Sequence, residues 1–206
     1  MKKTKTLLML AVIILLGASV ISCKQKGMEN LEESQSEATT DTFPMMEQDH
    51  DEFLSVIEAY LRAIGSQYAP GEVCIPSYTV VAINDNDTDY VRVWGDWWVF
   101  NYNIVGDTLK CVSGGNHPGL MYLKQNNTHE WIVSSFDQVE DGSHNLPSAK
   151  RIFGEYYDTF HKINSDQHHR DTVRLLQVAN YVQEHDLPVT MLQDFGWPAV
   201  ALPLNQ

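Results

Sequence analysis

The fold of this chain is decided between Thr88 and Gly142, a stretch that reads TDYVRVWGDWWVFNYNIVGDTLKCVSGGNHPGLMYLKQNNTHEWIVSSFDQVEDG. It holds four of the five tryptophans and most of the alternation of apolar with polar residues in the chain. Alternation with a period of two is typical of strands that bury one face. The stretch therefore predicts a curved antiparallel sheet as the body of the protein.

Turn-forming residues divide this region and the residues before it into six predicted strands. They are expected at 73–83, 90–94, 97–105, 108–113, 120–124 and 130–139. Gly95-Asp96 predicts a tight turn between the second and third strands, or alternatively a bulge within one long strand. The segment GGNHPG, from Gly114 to Gly119, predicts an irregular break between strands four and five.

Helical periodicity is found on both sides of the predicted sheet. One apolar stripe predicts a first helix from about Pro44 or Glu47 to Gln67. The stripe consists of Phe53, Val56, Ile57, Tyr60, Leu61 and Ile64. After the sheet, two helices are expected at 149–161 and at about 166–185. The sequence thus predicts an α+β domain in which an N-terminal amphipathic helix packs on the sheet and two helices follow it.

The first 22 residues have the pattern of an export signal. Three lysines precede an apolar run from Leu7 to Ile21, which is too short to favour a membrane span. The run ends in Val20-Ile21-Ser22-Cys23, which resembles the bacterial lipobox. That resemblance implies cleavage before Cys23 and acylation of its thiol and new amino group, with palmitate among the expected acyl chains. Two or more acyl chains anchor a protein stably, so the expected location is the bacterial cell envelope, outside the cytoplasm.

Three segments follow from this interpretation. Residues 1–22 are the predicted lipoprotein signal peptide, and residues 23–43 are a predicted flexible tether. The tether is polar and acidic, and it holds too few apolar residues to offset the entropy lost on ordering. Residues 44–206 are predicted to form a single α+β domain with a C-terminal helical extension.

The net charge of the chain limits the classes of molecule that it is expected to bind. The chain has 27 acidic and 14 basic side chains, and three of the basic ones lie in the predicted signal peptide. The mature chain would therefore carry 11 basic side chains and a net charge of −16. Such acidity argues against binding to nucleic acid or to anionic lipid. Attachment to the membrane is accordingly expected through the acyl chains.

The order of helix and sheet, with a tryptophan-rich interior, resembles the cystatin-like and nuclear-transport-factor-two-like domains over about residues 47–140. The local pattern Val91-x-Val93-x-Gly95-Asp96-x-x-Val99 is similar to a strand-turn-strand in polyketide-cyclase-type members. The residues after 140 look like an extension of uncharacterised bacterial envelope proteins. The resemblance implies a cone closed by the sheet. It implies no single function, since that superfamily includes enzymes, binding proteins and scaffolds.

One face of such a cone is a candidate pocket for a flat or apolar small molecule. The candidate lining is aromatic and consists of Trp94, Trp98, Phe100, Tyr102 and Trp131. The alternative is that these side chains form the core beneath the first helix, since aromatic residues supply much of the core in a domain of this size.

His117 is the candidate catalytic residue, because flexible glycines on either side could present its imidazole. A general base needs an orienting partner, and Asp137 is the acid proposed for that role, with Asp141 as the other nearby carboxylate. The alternative is a structural turn in which Pro118 and the glycines set the backbone.

Cys74 and Cys111 remain after the predicted cleavage. Outside the cytoplasm they could form a disulfide, or they could be two buried thiols that act as small apolar residues. Neither has the spacing of a zinc site, and the acidic run from Asp85 to Asp89 matches a calcium loop only in part. The sequence predicts no metal and no cofactor.

The sequence therefore favours a membrane-anchored, non-catalytic binding or interaction module of the cell envelope, with a small apolar ligand or an envelope protein as its partner. One alternative is an enzyme with a small-molecule pocket in the cone. Another is an envelope inhibitor or accessory subunit that binds a protein partner.

Overall fold

A computed structural model describes residues 51–87 and 89–204 of the chain. These residues belong to one compact unit with an α+β fold. Its helices are α1 (Asp51–Gly65), α2 (Asn145–Phe153), α3 (Tyr157–Ser165) and α4 (Gln167–Glu184). Its strands are β1 (Val73–Asn84), β2 (Val91–Val105), β3 (Thr108–Asn116), β4 (Gly119–Gln125), β5 (Trp131–Gln138), β6 (Met191–Gln193) and β7 (Val200–Ala201).

Strand β2 is the centre of one mixed sheet. On one side it pairs antiparallel with β1 over most of its length. On the other side it pairs with β3 along residues 98–105 and with β4 along residues 91–95. Strand β5 follows β4, while β6 lies parallel to β3 and carries β7 outside it. The predicted α+β class is confirmed, but the six-stranded antiparallel sheet is wrong in strand number and in the direction of β6.

Successive side chains of β2 point to opposite faces, and this divides the core in two. The odd-numbered side chains form what we call the α1 face, where Val93, Trp97 and Val99 pack against α1. The even-numbered side chains form the α4 face, where Trp94 and Tyr102 pack against α2–α4 and the C-terminal strands. The sheet is therefore covered on both faces, by one helix on one side and three on the other.

The first helix lies on the sheet as its apolar stripe predicts. Phe53, Ile57 and Leu61 are buried against β2 and β4. The helix ends at Gly65, two residues before the predicted end, and its predicted start lies outside the described residues.

Strand β2 continues without interruption through Gly95 and Asp96, so the predicted tight turn is wrong. The indole of Trp97 lies over Gly95, and a Cβ added to that glycine would come within 2.3 Å of the ring. Glycine is needed here for close packing inside a strand, not for a turn. The sheet does contain a bulge at this level, but it lies in β1, between Val80 and Ala82.

The GGNHPG segment is mostly sheet. Strands β3 and β4 follow one another along the same edge of β2, separated by His117 and Pro118 alone. The backbone N–H of His117 donates to the carbonyl oxygen of Trp97 at 2.6 Å, which continues the ladder across the gap. A Cβ on Gly114 would lie 2.4 Å from the carbonyl oxygen of Val99. The glycines thus admit a neighbouring strand, and the predicted irregular break is reduced to two residues.

After β5 the described residues form three α-helices, where the sequence predicts two. The expected helix at 149–161 is divided into α2 and α3 by Gly154, whose φ of +52° ends the first of them. The second prediction is confirmed by α4. Asp166 caps α4, because its side chain accepts a hydrogen bond from the backbone N–H of His169 at 2.9 Å.

Candidate functional site

Open space beside polar side chains lies on the α4 face, where α4 crosses the edge of the sheet. Helix α4 is attached to β1 by Gln177. Its amide oxygen accepts from the backbone N–H of Tyr78 at 2.9 Å, and its amide nitrogen donates to the carbonyl oxygen of Tyr78 at 3.1 Å. A helix side chain therefore pairs with the outer edge of β1, which fixes α4 relative to the sheet.

Arg174 lies at the centre of this region. Its Nε donates to the hydroxyl of Tyr102 at 2.9 Å, and its Nη1 and Nη2 donate to the two carboxylate oxygens of Asp194 at 2.9 and 2.6 Å. The guanidinium stacks on the ring of Phe100, 3.7 Å from its centroid. We call these four residues the Arg174 cluster. Bidentate pairing and ring stacking are both properties of arginine that lysine does not share.

The protonation states of the cluster follow from burial and charge. Burial raises the pKa of the Tyr102 phenol well above its usual range, so Tyr102 stays neutral. Burial works against the charge of Arg174, but the hydrogen bonds to Tyr102 and Asp194 and the negative charge of Asp194 outweigh it, and the net effect raises the pKa of the guanidinium. The cluster thus contains a fixed cation whose charge is neutralised by one carboxylate.

Two adjoining cavities of ≈ 460 and ≈ 210 Å³ open beside this cluster. They share Gln167, Asp171 and Arg174 on α4, and we call the two together the α4 groove. The larger cavity lies between α4 and the C-terminal strands, and the smaller lies between α4 and β2. Their other lining residues are His168, Thr172, Leu175, Leu192, Asp194, Trp197, Pro198 and Val200 in the larger, and Ser77, Trp98, Phe100 and Arg170 in the smaller.

Asp171 is the carboxylate that the groove leaves available. It is exposed and lines both cavities, and within the described residues no hydrogen bond or ion pair engages it. Asp194, the other carboxylate of the groove, is engaged by Arg174. A side-chain carboxylate that can accept hydrogen bonds is therefore offered to a ligand on the wall that the two cavities share.

A buried carboxyl group, that of Asp96, holds Trp98 in the wall of the smaller cavity. Asp96 is only 1 % exposed. It accepts hydrogen bonds from Trp98 Nε1 at 3.2 Å, from Asn116 Nδ2 at 2.6 Å and from Asn164 Nδ2 at 3.2 Å. Asn164 belongs to α3 and Asn116 is the last residue of β3, so the carboxyl group of Asp96 connects β2 to both elements. It also orients the indole of Trp98.

The rim of the groove is formed by an aromatic turn, residues Asp194 to Trp197. The backbone N–H of Trp197 donates to the carbonyl oxygen of Asp194 at 3.1 Å, and Gly196 has the φ of +77° that glycine tolerates. Phe195 is 90 % exposed and Trp197 is 71 % exposed. The salt bridge from Asp194 to Arg174 attaches this turn to α4.

The predicted aromatic pocket is not one cavity. Trp94 is buried, with its Nε1 bonded to the carbonyl oxygen of Ile152 at 2.9 Å, and Tyr102 is buried in the Arg174 cluster. Trp98 and Phe100 stack on each other with ring centroids 5.7 Å apart and line the smaller cavity. Two of the five predicted residues thus line the α4 groove.

Trp131, the fifth member of that predicted pocket, lies on the opposite side of the sheet. It packs edge-on against Phe53 of α1, with ring centroids 4.9 Å apart. Its position follows from its place on β5, whose register with β4 turns Trp131 towards the α1 face.

His117 and Asp137 are not brought together. His117 lies near Tyr68, whose hydroxyl is 2.9 Å from Nε2, and its Nδ1 is 3.2 Å from the amide oxygen of Gln138. The carboxylate of Asp137 lies on the other face of the sheet, 3.4 Å from the hydroxyl of Tyr122. Adjacent residues of a strand point to opposite faces, so Gln138 and not Asp137 meets the imidazole.

Cys74 and Cys111 are free thiols. They flank β2 on opposite sides and opposite faces, since Cys74 lies beside Gly65 of α1 and Cys111 packs with the cluster beneath α4. Burial raises the pKa of both thiols, which keeps them protonated. Cys23, the predicted lipidation site, lies outside the described residues.

Two further features were sought in the described part of the chain. No group of three or more His, Cys, Asp or Glu side chains there is arranged to hold a metal ion. None of its helices is long and apolar enough to cross a bilayer.

The chain matches no protein-family model, no curated protein and no solved structure.

Sequence reasoning missed the residues that build the groove. Arg174 stands within the apolar stripe of a helix, and Asp194 is the one acidic residue in a long uncharged segment. A charge inside an apolar pattern predicts a buried partner, because burial of an unpaired charge is costly. That rule would have flagged each of the two residues, but 19 intervening positions gave no reason to pair them.

Proposed function

We propose that this protein is an exported, lipid-anchored binding module of the bacterial cell envelope, without catalytic activity, and that its ligand lies in the α4 groove. The observation that carries the proposal is an open groove that offers an unengaged carboxylate, Asp171, between two tryptophans, Trp98 and Trp197. The anchor is supported by the lipobox pattern that ends at Cys23. The proposed domain type is the cystatin-like cone, supported by the amphipathic helix α1 lying on the sheet.

The size and lining of the groove support a small organic ligand. Its larger cavity, at ≈ 460 Å³, is within the range of about 300–1,000 Å³ usual for ligand sites. Leu175, Leu192 and Pro198 supply apolar contact, while Gln167 and Asp171 supply hydrogen-bonding groups. A lining of this mixture suits a molecule with an apolar body and a few polar substituents.

Binding is favoured over turnover by the state of the groove's charged groups. Acid–base chemistry by two carboxylates requires both to be free to exchange protons, and Asp194 is held by two hydrogen bonds from a permanent cation. Asp171 and His168 both line the groove on α4, and among the described contacts no hydrogen bond joins them. Within the described part of the chain, neither side chain is therefore oriented by a hydrogen bond from the other, as the pair of a general base and its partner would be.

The anchor is tested by replacing the lipidated residue. With Cys23→Ala, the full chain should move from the membrane fraction to the soluble fraction of cells, because acylation of that cysteine is the proposed attachment. Loss of incorporation of a labelled fatty acid provides the second readout. Unchanged membrane fractionation and unchanged labelling would overturn this half of the proposal.

The groove is tested by ligand-induced stabilisation. A ligand that binds the folded state at 100 times its Kd adds about 2.7 kcal/mol to the free energy of unfolding. Small-molecule fractions from the producing cell are screened for a rise in the melting temperature of the wild-type chain. Asp171→Leu, which blocks the wall shared by the two cavities, should abolish the rise. Asp158→Leu, at an exposed carboxylate of α3 that lines neither cavity, should leave it intact. The binding proposal fails if no fraction stabilises the wild type, or if both variants respond as the wild type does.

A further inference from the structure

The aromatic turn is exposed in a fixed shape. Phe195 and Trp197 lie two residues apart on a turn closed by a backbone hydrogen bond, with Gly196 between them. The side-chain amide nitrogen of Gln193 also donates to the carbonyl oxygen of Trp197, at 2.9 Å. Two large apolar side chains are thus held in water by a braced turn, although soluble proteins normally bury such groups.

The segment of chain that carries this turn is nearly free of charge. From Leu187 to Gln206 the chain has one ionisable side chain, Asp194, in a protein with 27 acidic residues. The charge of Asp194 is neutralised by its bidentate pair with Arg174. Pro198 and Val200 are exposed beside the aromatic pair. An aromatic, uncharged projection suits the boundary between lipid headgroups and acyl chains, where tryptophan is enriched.

The length of chain before the described domain places this turn within reach of a bilayer. Twenty-seven residues, 24–50, separate the predicted anchor Cys23 from the start of α1. They span at most about 97 Å when fully extended. Tethering converts a weak surface contact into an intramolecular one with a high effective concentration. Two inserted aromatic side chains are then enough to orient the domain, although they would bind a bilayer weakly by themselves.

We propose that the aromatic turn inserts Phe195 and Trp197 into the interfacial layer of the bilayer that holds the lipid anchor. The inference rests on the anchor of the proposed function. The surface it fits is one of zwitterionic headgroups, because the mature chain carries a net charge of −16 and is repelled by anionic lipid. Trp197 also lines the α4 groove, so the seated domain presents the mouth of the groove to the membrane surface.

The test uses the lipidated full chain, reconstituted through its own anchor into phosphatidylcholine vesicles. One set of vesicles has brominated acyl chains, which quench a tryptophan only on contact with the hydrocarbon layer. In these vesicles the wild-type emission should fall by up to the share of one tryptophan among the five. Trp197→Phe keeps an aromatic group in the turn but removes its fluorophore, so quenching should disappear. Trp131→Phe is the matched control, since Trp131 packs on α1, and its quenching should persist.

A second variant tests the turn while the reporter is retained. Phe195→Ser leaves Trp197 in place and weakens the apolar contact, so quenching should fall relative to the wild type. Circular dichroism and the melting temperature establish that each variant is folded. Emission that is equal in brominated and ordinary vesicles overturns the inference, and so does quenching that survives Trp197→Phe.

Flotation of the same vesicles separates the two proposals. A wild-type chain that floats with the lipid but is not quenched retains the anchor and loses only the inserted turn. A chain that does not float with the vesicles overturns the anchor and, with it, the inserted turn.

Discussion

The two faces of the sheet are built from alternate residues of the same strand, and they differ in how completely their side chains are shielded from water. On the α1 face, Val93, Trp97 and Val99 are buried completely in apolar surroundings. On the α4 face, Trp98 and Phe100 are half-buried, and a salt bridge, a buried carboxyl group and two cavities lie around them. One helix closes the first face. The second is covered by three helices and a C-terminal segment, and cavities remain between them. Both faces thus contribute to the buried core, and the groove proposed to bind a ligand lies on the second.

The largest effect should come from emptying the closed face. Trp97→Ala removes a fully buried indole beneath α1 and should lower the free energy of unfolding by about 3 to 5 kcal/mol. Urea denaturation followed by circular dichroism measures the change. Trp98→Ala, one residue further along the strand, should cost less, about 1 to 2 kcal/mol, because its side chain is half exposed. An equal cost for the two substitutions would contradict the division into a closed and an open face.

The next effect concerns the salt bridge of the open face. Asp194→Ala leaves the buried Arg174 without its carboxylate and should cost about 2 to 3 kcal/mol, below the usual cost for a fully buried pair because Asp194 is partly exposed. Arg174→Met should cost less, about 1 kcal/mol, since Asp194 can regain contact with water. Hydrogen exchange should show faster exchange at the amides of β6 and β7 in Asp194→Ala. The explanation fails if Arg174→Met proves the more damaging of the two.

Close packing at Gly95 sharpens the account of the closed face. Gly95→Ala places a methyl group against the Trp97 ring and should destabilise the protein by about 1 to 2 kcal/mol. The same change made in a Trp97→Phe background should cost less, because the smaller ring can yield. A double-mutant cycle measures this coupling. Independent costs would mean that the glycine is required by the backbone and not by the indole.

The smallest effect is electrostatic and lies at the turn between β1 and β2, away from both faces. A hydrogen bond from the backbone N–H of Asp89 and another from Arg92 lower the pKa of the Asp87 carboxyl. The group therefore adds stability above its unfolded pKa of about 3.9, and this contribution is lost as the pH falls through the lowered folded value. An NMR titration of Asp87 should show the lowered pKa, and Arg92→Gln should raise it. If the pKa of Asp87 is the same in that variant as in the wild type, the ion pair with Arg92 does not contribute to lowering it.

The sequence predicted local structure best where a pattern repeats. The stripe containing Phe53, Ile57 and Leu61 predicts α1, and the helical spacing around Val178 predicts α4, because period and burial reinforce each other in both. The sequence is a poorer guide to the structural role of single glycines. Gly95 and Gly154 each stand between an aromatic and an acidic residue, yet one lies inside a continuous strand and the other ends a helix. Gly95 is required by the Trp97 ring that packs against it, whereas Gly154 has no atom within 4 Å of an added Cβ and is required by its positive φ. A linear sequence shows neither of these reasons.

The candidate site was predicted only in part for the same reason. Trp98 and Phe100 share a face by simple alternation, and both line the groove. Their partners come from α4 and from the segment around Asp194, tens of residues later in the chain. His117 was paired with Asp137 on the basis of residue type, whereas the register of β4 with β5 points Gln138 at the imidazole.

What the sequence by itself determined is the position of α1 and α4 and the division of β2 into two rows of side chains. Hydrophobic period is a local property, and it needs no knowledge of what lies opposite. Only the tertiary structure decided which row is closed by α1 and which is left with a groove. It also decided that Arg174 meets Asp194 and that the aromatic turn remains in water. These outcomes depend on how helices of fixed length cover a sheet of fixed width, and the uncovered remainder is where this protein can bind.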